Sequence, residues 1–159
     1  MLEIRIITVG ALGKDYLKQA IQEYSKRLQA FCKLNIIELS DARPSSSNPN
    51  SSEIEKLLID EGERIVKHTK GYLIVLDIQG RPLTSPGLSE VLESVPLAGN
   101  SCISFVIGGS WGIVEGIKKS ADLLLSFSRM TFPHQLFRVM LLEQLYRAFT
   151  ILNNMPYHK

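Results

Sequence analysis

Two apolar runs in the second half of the chain, Phe105-Val106-Ile107 and Leu123-Leu124-Leu125, each stop at a loop of small or polar residues. Runs this short and this apolar suit strands covered on both faces, as in a parallel sheet. The first ends in Gly108-Gly109-Ser110-Trp111-Gly112. The second ends in Ser126-Phe127-Ser128-Arg129-Met130-Thr131-Phe132, and Pro133 then opens a long apolar helix. An open α/β sheet binds its ligand beyond the carboxyl ends of its strands, so these two loops are the first candidates for a site.

The rest of the chain supplies the other layers. Leu2, Ile4 and Ile6 alternate and predict a strand up to Val9. Gly10 and Gly13 bracket a turn, and Leu17, Ile21, Tyr24, Leu28 and Phe31 recur at helical spacing. Leu34 to Leu39 predicts a second strand, and residues 40–52, rich in Ser, Pro and Asn, a surface loop. Ser52 and Glu55 have the spacing of a capping box and predict the next helix, with Ile54, Leu57, Leu58 and Ile65 on its buried side. Tyr72 to Ile78 predicts a third strand, ending at Asp77-Ile78-Gln79-Gly80. Ser85-Pro86 predicts a short helix with Ser as cap. Ile103 to Ile107 is the fourth strand, Val114 to Ser120 a short helix, and Leu123 to Phe127 the fifth strand. Strict β-α alternation predicts an α/β fold with a mostly parallel sheet and helices on both faces. The 159 residues suit one domain, 1–159.

Composition narrows the function classes. The chain is 45% hydrophobic and 21% charged, values of an ordinary globular protein. No apolar run approaches the ~20 residues of a membrane helix, and no secretory signal is evident. Cys32 and Cys102 are far apart and read as small buried residues in a reducing cytoplasm. Three histidines without clustered cysteines argue against a metal site. A net charge of +2 is weak for a protein that grips naked RNA.

Several residues could carry chemistry. The glycine loop lacks the Walker lysine and the Gly-x-Gly-x-x-Gly fingerprint, so it is no standard phosphate cradle. His134 opens the last helix, where it either satisfies the helix end or hydrogen-bonds a substrate. Arg138 lies one turn later on the same face and reads as an ion pair or as a phosphate or base contact. Arg147 has the same two readings. Leu136, Phe137, Val139, Met140, Leu141, Leu142, Leu145, Tyr146 and Phe149 make this helix apolar nearly all round, which calls for burial on several sides.

These segments together resemble the RlmH family of SPOUT methyltransferases, from Val9-Gly10 to the terminal Tyr157-His158-Lys159. The resemblance implies a C-terminal trefoil knot, within roughly residues 103–159. It implies S-adenosyl-L-methionine as cofactor, held by Leu76, Gly108 and the run Phe127, Ser128, Arg129, Met130, Thr131 and Phe132. Trp111 departs from the smaller or polar residue expected in that loop. The implied reaction is methylation of N3 of a pseudouridine in 23S ribosomal RNA, on the large subunit or assembled ribosome, by a cytoplasmic, metal-free homodimer joined through the last helix. His134, Arg138, Tyr157 and His158 are then the candidate catalytic residues. Tyr157 would stack on or orient the base, and His158 would hydrogen-bond it from a tail that closes over the site. His134 and His158 both remain open as acceptors of the N3 proton. The competing readings are a SPOUT enzyme with another RNA target and a non-catalytic ribosome-binding or assembly factor.

Overall fold

The structure, a computed structural model, describes residues 1–159. Its elements alternate along the chain: β1 (Glu3–Val9), α1 (Asp15–Leu28), β2 (Lys33–Leu39), α2 (Ser51–Val66), β3 (Tyr72–Pro82), α3 (Ser85–Leu97), β4 (Cys102–Ile107), α4 (Glu115–Ser120), β5 (Leu123–Ser126) and α5 (His134–Leu152). The strands form one sheet in the order β2-β1-β4-β3-β5, parallel throughout. The predicted α/β class is the one that forms.

Period-two alternation divides the strand side chains between two cores. Ile4 and Ile6 of β1, Ile74 of β3, and Ile103 and Phe105 of β4 join Ile21 of α1, Leu92 of α3 and Leu145 of α5 in the larger one. Ile7 and Val9, Val75 and Val106 point the other way and meet Ile65 of α2 and Ile117 of α4. Helices α1, α3 and α5 therefore cover one face, and α2 and α4 the other. Every residue of the central strand β4 is buried, as its unbroken apolar run required.

Three local expectations shift. The α2 cap is Asn50, whose side chain accepts from Glu53 N at 2.9 Å, so Ser52 and Glu55 lie inside the helix and exposed. Thr84, not Ser85, caps α3 and accepts from Gly87 N at 3.0 Å. Thr84 holds the extended backbone that a cap needs, which frees Ser85 Oγ to donate to Gln144 Oε1 of α5 at 2.6 Å. β3 runs on to Pro82 because its pairing with β5 slips: both Leu76 and Arg81 stand opposite Leu125. The residues between them form a bulge at the carboxyl end of the sheet.

Helix α5 lies against α1 and α3. Leu141, Leu142 and Leu145 are fully buried there, whereas Leu136 on the outer side stays 38% exposed. Leu142→Ala should therefore destabilise the protein by ~2–5 kcal/mol through loss of apolar contact and the cavity left behind. Leu136→Ala should cost under about 1 kcal/mol, as for other surface positions. Urea unfolding of both variants checks this; equal losses would contradict the packing of α5.

Candidate active site

The loops at the carboxyl ends of β3, β4 and β5 close on one cavity of about 300 Å³. Leu76, Asp77 and Ile78 come from the β3 bulge, and Gly108, Gly109, Ser110 and Gly112 from the loop after β4. Phe127, Ser128, Met130, Thr131 and Phe132 come from the loop after β5, and His134 and Phe137 from the start of α5. Apolar walls with a few polar groups are the usual make-up of a cofactor site.

Local chemistry explains why these loops hold still. A Cβ on Gly108 would stand 2.7 Å from the Gly112 carbonyl oxygen and 2.6 Å from Ile113 Cγ1, so only glycine lets the loop fold back this tightly. Gly112 itself sits at φ +92, a backbone that L side chains rarely adopt. Phe127 and Phe132 pack on Phe137 with ring centroids 5.0 and 6.2 Å away, which fastens the β5 loop to α5. Within that loop Ser128 Oγ accepts from Met130 N at 3.0 Å, and Ser126 Oγ donates to the Ser128 carbonyl at 3.2 Å.

A larger cavity of about 560 Å³ adjoins the first and shares Leu125, Phe127, Ser128 and Phe132 with it. Its other side is lined by Tyr24, Thr84, Ser85, Met140, Glu143 and Gln144. The C-terminal tail docks at this end. Tyr157 OH donates to Glu143 Oε1 at 3.1 Å, its ring lies edge-on to Tyr146 at 4.8 Å, and the Arg147 guanidinium covers it at 4.7 Å. Arg147 also donates to Glu143 at 2.5 Å and to His158 Nδ1 at 3.3 Å. Burial and the Glu143 carboxylate push the Tyr157 phenol up to about 12, so it stays protonated near neutrality.

Arg138 is turned inward and is 1% exposed. Its Nη2 donates to the Gly10 carbonyl, with the Val9 carbonyl at 3.4 Å, and its Nη1 lies 3.5 Å from Glu38 Oε2. Burial lowers its pKa and Glu38 opposes that shift, leaving a charged guanidinium sealed at the carboxyl ends of β1 and β2. Gln135 Oε1 accepts from Gly13 N at 3.1 Å and ties the same turn of α5 to the β1–α1 loop.

The structure thus gathers Leu76, Gly108, Phe127, Ser128, Met130, Thr131, Phe132 and His134 around one cavity. Arg129 is exposed and does not line it. Trp111 and Met130 are exposed apolar residues on the loops that form it. Arg138 lines neither cavity, and Tyr157 and His158 sit beside Glu143 instead of over the first one. His134 and Glu143 are nine positions apart on α5, about 14 Å along its axis. Sequence reasoning missed Lys118 and Phe137 as cavity residues, and Glu143 as the anchor of the tail. Lys118 follows Glu115 at helical spacing and looks like a solvated surface pair; Phe137 is one apolar residue among many. Glu143 carried a readable signal, its i,i+4 spacing to Arg147. No group of three or more His, Cys, Asp or Glu is placed to hold a metal ion.

A curated relative from Clostridium botulinum strain Okra, named ribosomal RNA large subunit methyltransferase H, is 51% identical over 99% of this chain and all of its own length. One from Clostridium perfringens strain SM101, named ribosomal RNA large subunit methyltransferase H 1, is 52% identical with the same coverage. Among solved structures, a probable methylase family protein from Haemophilus influenzae Rd KW20 superposes with a TM-score of 0.55 at 16% identity, over all of this chain and 72% of that one, which is a likeness of fold. The family model described as "Predicted SPOUT methyltransferase" matches residues 2–158, and by that match and its relatives this chain belongs to the SPOUT methyltransferase family.

Proposed function

We propose that this protein is an S-adenosyl-L-methionine-dependent methyltransferase of large-subunit ribosomal RNA, acting on N3 of a pseudouridine. The observation that carries it is the convergence of three strand-end loops and His134 on one cavity. The names of the 51–52% identical relatives give the substrate class. The residues present fit the cofactor: the tight glycine loop, whose Cβ positions at Gly108 and Gly109 are filled by Ile113, Val9 and Asp41 of the chain itself, brings backbone to the cavity wall, and Leu76, Ile107, Phe127 and Phe132 offer apolar walls. When bound, its sulfonium supplies an activated methyl group and needs no metal.

The chain's own residues then divide the work. The cavity walls fix the donor so that the acceptor nitrogen meets it at the right angle, which is where most of the acceleration comes from. His134 lies on the cavity wall, which supports it as the acceptor of the N3 proton. His158 suits the other role. Arg147 can only donate, so His158 Nδ1 accepts from it and the ring's proton lies on Nε2, free to donate to a base carbonyl. Arg138 acts through the backbone, holding α5 and His134 against the β1 end.

The same reading includes a homodimer and a knotted chain. Leu136 is exposed on α5, and Val139 and Met140 are half-buried beside the larger cavity; a second copy would cover Leu136. A partner's tail could then reach the cavity that the chain's own Tyr157 does not line. The knot, within residues 103–159, is supported by β4 lying between β1 and β3 while α5 returns from the sheet edge to lie against α1 and α3.

Three outcomes test this reading. Ribosomes from cells lacking the protein, incubated with it and labelled cofactor, should gain one methyl group on a 23S pseudouridine; label on no RNA removes the proposal. Deleting Tyr157 to Lys159 should leave cofactor affinity and melting temperature nearly unchanged while single-turnover transfer falls about 100-fold or more, because groups that position the acceptor are lost. Wild-type turnover after that deletion would return the tail to a bystander. Light scattering at micromolar concentration should give a dimer mass for the wild type and a monomer mass for Leu136→Glu, with both folded; a monomeric wild type would end the dimer proposal.

A further inference from the structure

The cofactor cavity holds one pair of opposite charges, Asp77 from the β3 bulge and Lys118 from α4. Their closest atoms, Oδ2 and Nζ, are 3.5 Å apart, and the side chains are only 19% and 24% exposed. Lys118 Nζ also stands 3.7 Å from Glu115 Oε1, whose side chain is largely in water. Neither the Asp77 carboxylate nor the Lys118 ammonium makes a hydrogen bond to another group of the chain. Two partly desolvated charges are thus left with donor and acceptor capacity facing one cavity, whose other walls are mainly apolar side chains and glycine backbone. Such groups gain most from an ionised partner, since charge-assisted hydrogen bonds are about twice as strong as neutral ones.

From this we infer that Asp77 and Lys118 form the subsite for the amino-acid end of the cofactor. Lys118 takes its α-carboxylate and Asp77 its α-ammonium. The assignment rests on the methyltransferase reading and adds to it a residue-level basis for recognising a zwitterion. The pair is bipolar, as the ligand's end is, and its 3.5 Å spacing leaves each charge free to turn to a new partner without breaking a formed hydrogen bond. Glycine loops and aromatic walls accept any adenosine; only the charged pair can tell a zwitterionic tail from an uncharged one.

Two ligands separate the parts. S-adenosylhomocysteine carries the zwitterionic end, whereas methylthioadenosine keeps adenine, ribose and sulfur and lacks it. Calorimetry of the full chain with both ligands, for wild type, Lys118→Met, Lys118→Arg and Asp77→Asn, reads the subsite without any turnover. Lys118→Met should weaken S-adenosylhomocysteine about 10- to 100-fold, the loss expected of one charged hydrogen bond. Its affinity for methylthioadenosine should change less than about threefold. Asp77→Asn should show the same selectivity, and Lys118→Arg should restore most of the lost affinity. Equal weakening of both ligands would mean that the pair only braces α4 against β3, and no weakening would mean that the charges face water; either overturns the inference. If Lys118→Met fails to fold, Asp77→Asn and Lys118→Arg still decide it by the ratio of the two affinities. A wild type that binds neither ligand would take the methyltransferase reading down as well. A wild type that binds both, with unselective variants, removes this assignment alone.

Discussion

The arrangement of the site depends on one buried charge. Arg138 brings a guanidinium to the carboxyl ends of β1 and β2, where it meets the Val9 and Gly10 carbonyls. Its burial is costly, and Nε and Nη1 remain without hydrogen bonds. Removing one member of such a pairing leaves the other group stranded, so the contact is strongly fixed even where its net contribution is small. The consequence is geometric. α5 is the last helix, joined to the sheet edge by a loop, and its first turns could otherwise drift. With Arg138 on the β1 carbonyls and Gln135 on Gly13, His134 and Phe137 are held against the strand ends. Phe137 in turn is the ring on which Phe127 and Phe132 pack.

The β3 bulge does the equivalent work on the other side. A regular strand would send Asp77 and Ile78 to alternate faces of the sheet. The register slip opposite Leu125 lets Leu76 finish one pairing and Arg81 begin another, and the residues between leave the ladder. A Cβ at Gly80 would stand 2.7 Å from the Leu124 carbonyl carbon, so glycine is what allows the bulge to close against β5. Asp77 and Ile78 are thereby turned into the cavity. One face of that cavity is thus fixed by strand irregularity and the other by a buried ion contact.

The fold was legible because it depends on long-period signals. Fully apolar β4, half-apolar β1 and the helical spacing of Leu17, Ile21 and Leu28 each identify an element on their own. The glycine loop alone reads as an ordinary turn, and it became legible as part of a site only beside the strand-end segments 76–80 and 127–132. What was hidden depends on contacts between distant segments. Asn50 and Thr84 displace Ser52 and Ser85 as caps because backbone geometry, not side-chain type, selects among neighbouring candidates. Arg138 reads from sequence as an ion pair or as a phosphate or base contact, and only the packing of α5 over the sheet turns it inward onto the β1 carbonyls. Nothing in the sequence singles out Lys118, and only the bulge across from α4 brings Asp77 to it.

The tail shows how far a single chain can carry this site. Glu143 binds Arg147 and Tyr157 together, and Arg147 in turn holds His158, so four residues form one polar cluster beside the middle of α5. The Tyr157 ring is clamped between Tyr146 and the Arg147 guanidinium, which leaves it little freedom to swing. A tail so ordered is not a frayed end, yet it stands about two and a half helical turns from His134. Rigid placement at a distance would suit the trans role proposed for the tail: the ordering entropy is already spent, and a second copy would need only to bring one chain's cluster to the other's cavity. The same logic accounts for the low net charge of +2. Under the proposed function, an acceptor site completed by two protomers and a large folded ribonucleoprotein as substrate would supply selectivity through shape and a few positioned groups, without a broad basic surface to hold RNA.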